Sequence, residues 1–318
     1  MGPIDGLIDG VVEGARAQLA GIVRRQISGQ SNAPHREMGG FLGEDGPLGP
    51  DSVAWRVHAD PAMFVGGLRA LLVQTLHPLA MAGVADHSDY RHDPFGRLHR
   101  TSAFIGNTTY GSWEQALGAV EVVRRVHVHV RGTAPDGRPY DASDPHLIAW
   151  VHIAEIDSFL CSYQRYGAAA LTPEEADQYV AETAMVAELL DAESVPRSVA
   201  ELRALLAEFR PELEVGDQAR DALRFLMWPP VPLAMRGVYG LVAAAAVGLL
   251  PGFARRDLGL PTVPFADPLV VRPATVLGTR TLGLVLGRLP DPEALQAEVA
   301  RGQAAAALGA EAAEGSAA

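Results

Sequence analysis

The sequence predicts an all-α fold, a single-domain multi-helix bundle, with one short hairpin near 132–141 as the only alternative element. Three observations carry this. Apolar residues recur at helical spacing along most of the chain. Helix-start chemistry recurs between those stretches: Asp60-Pro61, Asp144-Pro145 and Asp291-Pro292 each place an N-cap acceptor before a proline at the first helical position. Thr172-Pro173-Glu174-Glu175 and Ser198-Val199-Ala200-Glu201 add capping boxes. Third, 48% of residues are hydrophobic but only 6% aromatic, so a large core must be built mainly from Ala, Leu and Val.

In order, the periodic stretches read as helices near 5–25, 61–85, 113–130, 145–166, 173–191, 199–208, 217–227, 232–249, 275–288 and 293–308. The first is amphipathic, with Leu7, Ile8, Val11, Val12, Ala15, Leu19, Ile22 and Val23 on one stripe. Connections carry Gly and Pro: Gly39 to Pro50, Pro135-Asp136-Gly137, Trp228-Pro229-Pro230 and Leu260 to Pro268. Val126 to Val130 alternates like a strand, yet the helical spacing from Trp113 favours a helix running through His127 and ending near Gly132. The organisation expected is an N-terminal amphipathic helix over 1–34, a catalytic domain over 35–290, and a C-terminal helix over 291–318 whose Ala/Gly/Glu-rich tail reads as disordered.

Composition excludes several function classes. With 26 basic against 38 acidic residues the formal charge is −12, and every basic residue is Arg. Such a chain lacks the basic face that non-specific nucleic-acid binding needs, so no nucleic-acid partner is expected. A single Cys excludes an internal disulfide framework and Cys-rich metal sites. Met1 to Gln26 has no basic leader followed by a long apolar run, and the most apolar window, Gly237 to Leu250, is about 14 residues. The expectation is a cytoplasmic protein without stable membrane insertion.

Histidine is the feature that points to chemistry. Ten are present, eight of them between 77 and 152 and none beyond 152. His87, His92, His99 and His146 lie in polar, turn-like sequence and read as surface or capping residues. His127 is the leading metal ligand. On a helix it shares one stripe with Val120, Val123 and Val130, while His129 points about 200° away. A neutral imidazole on an apolar face suits an axial ligand to haem, or equally a satisfied core residue. On a strand, His127 and His129 would share a face and form an H-x-H pair for a non-haem metal. His77 precedes Pro78, which should kink the apolar helix, free a carbonyl near position 74, and gather Gln74, Thr75 and His77 at a pocket wall. Arg97 and Thr101 are one turn apart, with Arg100 between, and supply donors for a propionate or an oxygen species. His152, with Ile148, Glu155 and Phe159 on its side of a helix, reads as a pocket or core residue, and Cys161 as a small buried hydrophobe.

Taken in order, Ala70-Leu71-Leu72-Val73-Gln74-Thr75-Leu76-His77-Pro78, Ala82-Gly83-Val84 with His87-Ser88, Asp93-Pro94, Arg97-Leu98-His99-Arg100-Thr101, His127-x-x-Val130-x-Gly132, Gly137-x-x-Tyr140, Asp144-Pro145 and Trp150-Val151-His152 resemble the domain shared by the latex clearing protein (rubber oxygenase) and the fungal oxygenase of mycophenolic acid biosynthesis. The resemblance covers about residues 35 to 260. It implies an all-helical fold carrying haem b, and dioxygen-dependent cleavage of isoprenoid double bonds. By position it puts the proximal histidine at His127, and the distal Arg and Thr at Arg97 and Thr101 with Arg100 between. One departure stands out: the distal carboxylate expected in the helix before that arginine is missing, since Phe64 to Ala85 holds no Asp or Glu. His77 and Gln74 are the residues placed to substitute, and polyisoprene is not the expected substrate.

The functional expectation is therefore a haem b (iron) oxygenase acting with dioxygen on a small apolar substrate, its electron donor left open. His127 is the iron ligand, Arg97, Thr101 and His77 are catalytic, and Arg100, Gln74 and His152 contact the cofactor. The rivals are a peroxidase-like use of the same haem, a non-catalytic haem or apolar-ligand binder, and the His127/His129 metal pair.

Overall fold

A computed structural model describes residues 46–260, except 232, 234 and 235, together with 271–286. The helices expected near 5–25 and 293–308, the Asp291-Pro292 cap and the C-terminal tail lie outside the described residues. Within them the chain forms twelve α-helices and one two-stranded hairpin.

The first helix, α1 (Val53–Ala59), was not foreseen; Ser52 caps it by accepting from the Trp55 N–H. The helix expected over 61–85 is two helices, α2 (Met63–Gln74) and α3 (Pro78–His87), bent by 106°. The cause is Pro78, which forces His77 into extended backbone and has no N–H for the preceding turn. His77 becomes the N-cap of α3. The carbonyl of Gln74, released by the break, accepts from the Trp150 indole N–H at 3.4 Å and the His77 N–H at 3.4 Å. No single described helix is long and apolar enough to cross a membrane; α2 and α3 meet that test only jointly.

Helix α4 (Pro94–Tyr110) starts at an Asp93 cap and a proline. Helix α5 (Trp113–His127) opens on a capping box between Ser112 and Gln115. It stops at His127, short of Gly132, because the chain tightens: the N–H groups of His129 and Val130 donate to Val126 and His127, three residues back. The expected hairpin follows as β1 (Arg131–Thr133) and β2 (Pro139–Asp141), antiparallel with Gly132 opposite Tyr140. Gly137 turns it at φ +88°, a region that glycine enters freely. A Cβ on Gly132 would lie 2.6 Å from the Tyr140 hydroxyl, so only glycine lets that ring cross β1.

Helix α6 (Pro145–Tyr166) is the longest, capped by Asp144 and buried through Trp150, Ile153, Phe159 and Tyr166. It packs along α2, forming the main core. There Arg69 is 2% exposed; its guanidinium pairs with Asp157 at 2.7 Å and donates to Ser158 Oγ at 2.6 Å and the Leu249 carbonyl at 3.0 Å. Helices α7 (Pro173–Leu189) and α8 (Val199–Glu208) start at the capping residues Thr172 and Ser198. A 3₁₀ turn (Arg210–Glu212) leads to α9 (Asp217–Met227), α10 (Arg236–Leu249), α11 (Gly252–Asp257) and α12 (Arg272–Leu286). The short α11 was not foreseen either. Tyr179 from α7 and Phe209 after α8 complete the buried core.

Candidate functional site

The histidine-rich half of the chain builds two distinct polar centres. The first is spread over α4, α5 and α6, of which α4 and α5 pack together. On α5, Ala116 and Val120 are buried and Val123 and His127 half-buried, so the stripe read from the sequence is the inward face; His129, past the helix end, is exposed. Burial lowers the His127 pKa, opposed by a hydrogen bond to the Ala142 backbone and the charge of Asp141. The hairpin makes that contact available. Tyr140 is buried, donates to Asp86 at 2.6 Å and pairs with His87 at 3.1 Å, which fixes β2 and Ala142 against the end of α3.

Arg97 lies in the second turn of α4 and reaches back to the end of α3, donating to Ser88 Oγ at 2.9 Å. Its side chain is largely enclosed, and desolvation lowers its pKa. Thr101, one turn on, is exposed. Arg100 is exposed and pairs with Asp93 at 3.5 Å. Leu98, Trp113, Leu117, Val122, Val126, Val128 and Val151 are seven of the eleven exposed large apolar side chains among the described residues. The other four, Trp228, Leu233, Val238 and Leu277, lie in the C-terminal third and are more exposed still.

On α6, His152 and Glu155 lie one turn apart. Both are half-buried, as is His58 of α1. Desolvation drives His58 and His152 down to about 4 and Glu155 up to about 7. His58 is satisfied by Thr109 at 2.8 Å and Tyr179 at 3.1 Å. His152 is not: its Nε2 is buried without a protein partner. A bound group would satisfy it. His58 carried no sequence signal, because its partners are 51 and 121 residues away. Cys161 is half-buried, donates weakly to Asp157 at 3.7 Å, and burial pushes its thiol up to about 11.

The second centre lies at the α2–α3 break. His77 is 1% exposed. Its Nδ1 accepts from the Ala80 N–H at 3.5 Å, and its Nε2 faces Glu212 at 3.4 Å. His146, read from the sequence as a surface or capping residue, belongs here. Its Nε2 lies 3.0 and 2.9 Å from the two Glu212 carboxylate oxygens, and its Nδ1 bonds Glu193. Burial lowers the His77 pKa. Burial also opposes the charge on His146, but the two carboxylates outweigh it and its pKa is raised. His77, His146 and Glu212 present ligand atoms within 4.8 Å of one another, a set able to hold a metal ion. Gln74, half-buried beside the break, spends its amide on the Val151 carbonyl at 3.2 Å.

The structure thus gathers His127 with the Ala142 turn, Arg97 with the end of α3, and His152 with Glu155, whereas His77 turns toward His146 and Glu212. Compared with curated proteins and with solved structures, the chain matches none. A family model does match, over residues 55–287, and it spans the whole helical body from α1 to the end of α12. On that match the chain belongs to the oxygenase family described as ER-bound oxygenase mpaB/B′/rubber oxygenase, catalytic domain.

Proposed function

We propose that the chain is a haem b-dependent oxidoreductase, an oxygenase that uses dioxygen on a small apolar, unsaturated substrate. The observation that carries the reading is His127: a half-buried imidazole whose pKa burial lowers, at the end of the inward apolar stripe of α5 and beside the Ala142 backbone. A metal-binding histidine is held in this way, since a bond at one nitrogen fixes the ring and leaves the other free as ligand. The surroundings fit the group. Uncovered apolar side chains on α4, α5 and α6 suit a large apolar plate, and the unpartnered His152 Nε2 suits a polar edge.

Haem, when bound, would supply the redox iron for dioxygen chemistry, which is the cofactor's own. The chain's residues do the rest. Arg97 keeps guanidinium donors beyond the one given to Ser88 and would orient a propionate or a substrate oxygen. Thr101 would add a hydroxyl on the same face, and Arg100 a charge at the rim. Glu155 would hold the proton. A carboxyl with a pKa near 7 gives and takes a proton at neutral pH, and it would take the place of the carboxylate absent from Phe64 to Ala85.

The test is an absorption spectrum of the full chain supplied with haem, followed by oxygen uptake with small terpenoid alkenes. The expected result is a Soret band, about one haem per chain held without covalent attachment (no C-x-x-C-H site exists), and dioxygen-dependent carbonyl products without added peroxide. A folded chain that gives no Soret band after reconstitution would end the haem reading. A Soret band with no product would leave a non-catalytic binder.

A further inference from the structure

We propose that His77, His146 and Glu212 form a binding site for one divalent zinc-class metal ion, separate from the centre at His127. The three residues come from three segments: the α2–α3 break, the first turn of α6, and the 3₁₀ turn after α8. Each is placed there by local chemistry. Pro78 makes His77 an N-cap, the Asp144-Pro145 start orients His146, and the Glu214 N–H donates to the Leu76 carbonyl at 2.8 Å, tying the chain after the 3₁₀ turn to the helix break.

The spacing suits a metal. Nitrogen and oxygen ligands at about 2.0–2.1 Å in a tetrahedron sit roughly 3.4 Å apart. His77 Nε2 and His146 Nε2 lie 3.4 and 2.9 Å from Glu212 Oε2, and all three ligand atoms fall within 4.8 Å. Small side-chain shifts would bring them onto one ion, with the His77 ring proton moved to Nδ1 and the long 3.5 Å bond from the Ala80 N–H given up. The outer contacts also fit. Glu193 bonds His146 Nδ1, which leaves Nε2 as the ligand atom, and Phe209 stacks on that ring at 4.4 Å, fixing its plane and leaving its edge free. Trp150 and Phe209 flank the His77 ring at 5.9 and 6.3 Å.

Charge and access agree. With both imidazoles neutral, Glu193 and Glu212 carry two negative charges, which one divalent cation cancels; the Arg138 charge is also felt at His77. The His146 and Glu212 side chains are 35% and 38% exposed while His77 is buried, so the ion enters from solvent and keeps a position for water. Two imidazoles and one carboxylate accept zinc readily, with ferrous iron as the nearest competitor. The ion would clamp three segments that are otherwise joined by imidazole–carboxylate bonds.

The experiment uses the full chain, stripped by chelator and dialysed, then titrated calorimetrically with zinc chloride, with metal content measured afterwards. The inference stands apart from the haem reading, because zinc is counted separately from iron and the titration needs no haem. Wild type should bind one zinc per chain and melt at higher temperature with it. Glu212→Gln should weaken binding at least 100-fold and abolish the melting shift. Glu193→Gln, which spares all three ligands, should weaken it about 10–100-fold. It serves as the readout should Glu212→Gln fail to fold. Absence of zinc binding by folded wild type overturns the site. So does equal binding by wild type and both variants, which would assign the zinc to scattered surface histidines.

Discussion

Glu155→Gln isolates the most perturbed carboxyl of the candidate site. Desolvation raises its pKa from 4.5 to about 7. The sign follows from linkage. Below about pH 4.5 the carboxyl is neutral whether the chain is folded or unfolded, and the folded state bears no penalty. Between pH 4.5 and about 7 the unfolded carboxyl ionises while the folded one keeps its proton, so stability is lost over that window and levels off above it. At about 1.4 kcal/mol for each pH unit, the full penalty is about 3 kcal/mol. Glu155 is half-buried, so solvent screening lowers this, and about 2 kcal/mol between pH 5 and pH 8.5 is the working magnitude. Glutamine has nearly the same shape and no titration, so the variant escapes the loss. His58 and His152, driven down to about 4, destabilise the fold as pH falls below 6.5, but equally in both proteins. Urea unfolding at both pH values therefore gives a difference that grows by about 2 kcal/mol in favour of the variant at high pH. A wild type and variant with parallel pH profiles would refute the argument: Glu155 would then be hydrated and unable to store a proton at neutral pH.

The remaining predictions test neighbouring links. His127→Ala should lose haem or alter its spectrum, while His129→Ala, at an exposed position past the helix end, should leave both unchanged; equal loss from the two would favour a metal pair instead. Arg97→Ala should lower turnover per bound haem by about 10²–10³ if its donors act on developing charge, with a smaller loss for Thr101→Ala. Haem occupancy measured on the same samples separates this from propionate binding, in which Arg97→Ala sheds haem and the retained fraction stays active. Arg69→Met leaves Asp157 unpaired in the α2–α6 core and should cost about 3–5 kcal/mol, lowering the melting temperature by about 10 °C. A melting temperature within 2 °C of wild type, at about 2–4 °C for each kcal/mol, would show that the buried pair contributes little.

What the sequence made legible was chemistry carried by near neighbours. The caps at Asp144, Thr172 and Ser198 set helix starts to the residue, because a side-chain acceptor and the N–H it serves lie within three positions. The His127 stripe was readable for the same reason: helical periodicity alone puts it with Val120 and Val123 and turns it away from His129. Pro78 was read as a kink, yet the result is a full break. The difference lies in what receives the released Gln74 carbonyl, namely the Trp150 indole, 76 residues away. That long-range bond lets the chain swing by 106° without stranding a buried acceptor.

The residues that sequence reasoning misplaced share one property: their meaning comes from partners on other helices. His146 sits in a polar cap sequence and looks like surface until Glu193 and Glu212 arrive from 47 and 66 residues away. His77 stands with Gln74 at the break, but Pro78 makes it an N-cap and its Nε2 faces Glu212, 135 residues away. The two centres are then joined through a single helix. Helix α6 presents His146 in its first turn to the carboxylate cluster, and carries His152 and Glu155 in later turns. At 1.5 Å of rise per residue, about 9 Å of rigid helix separates His146 from His152. An ion held at His146 would therefore restrain the first turn of the helix that carries His152 and Glu155 in its later turns.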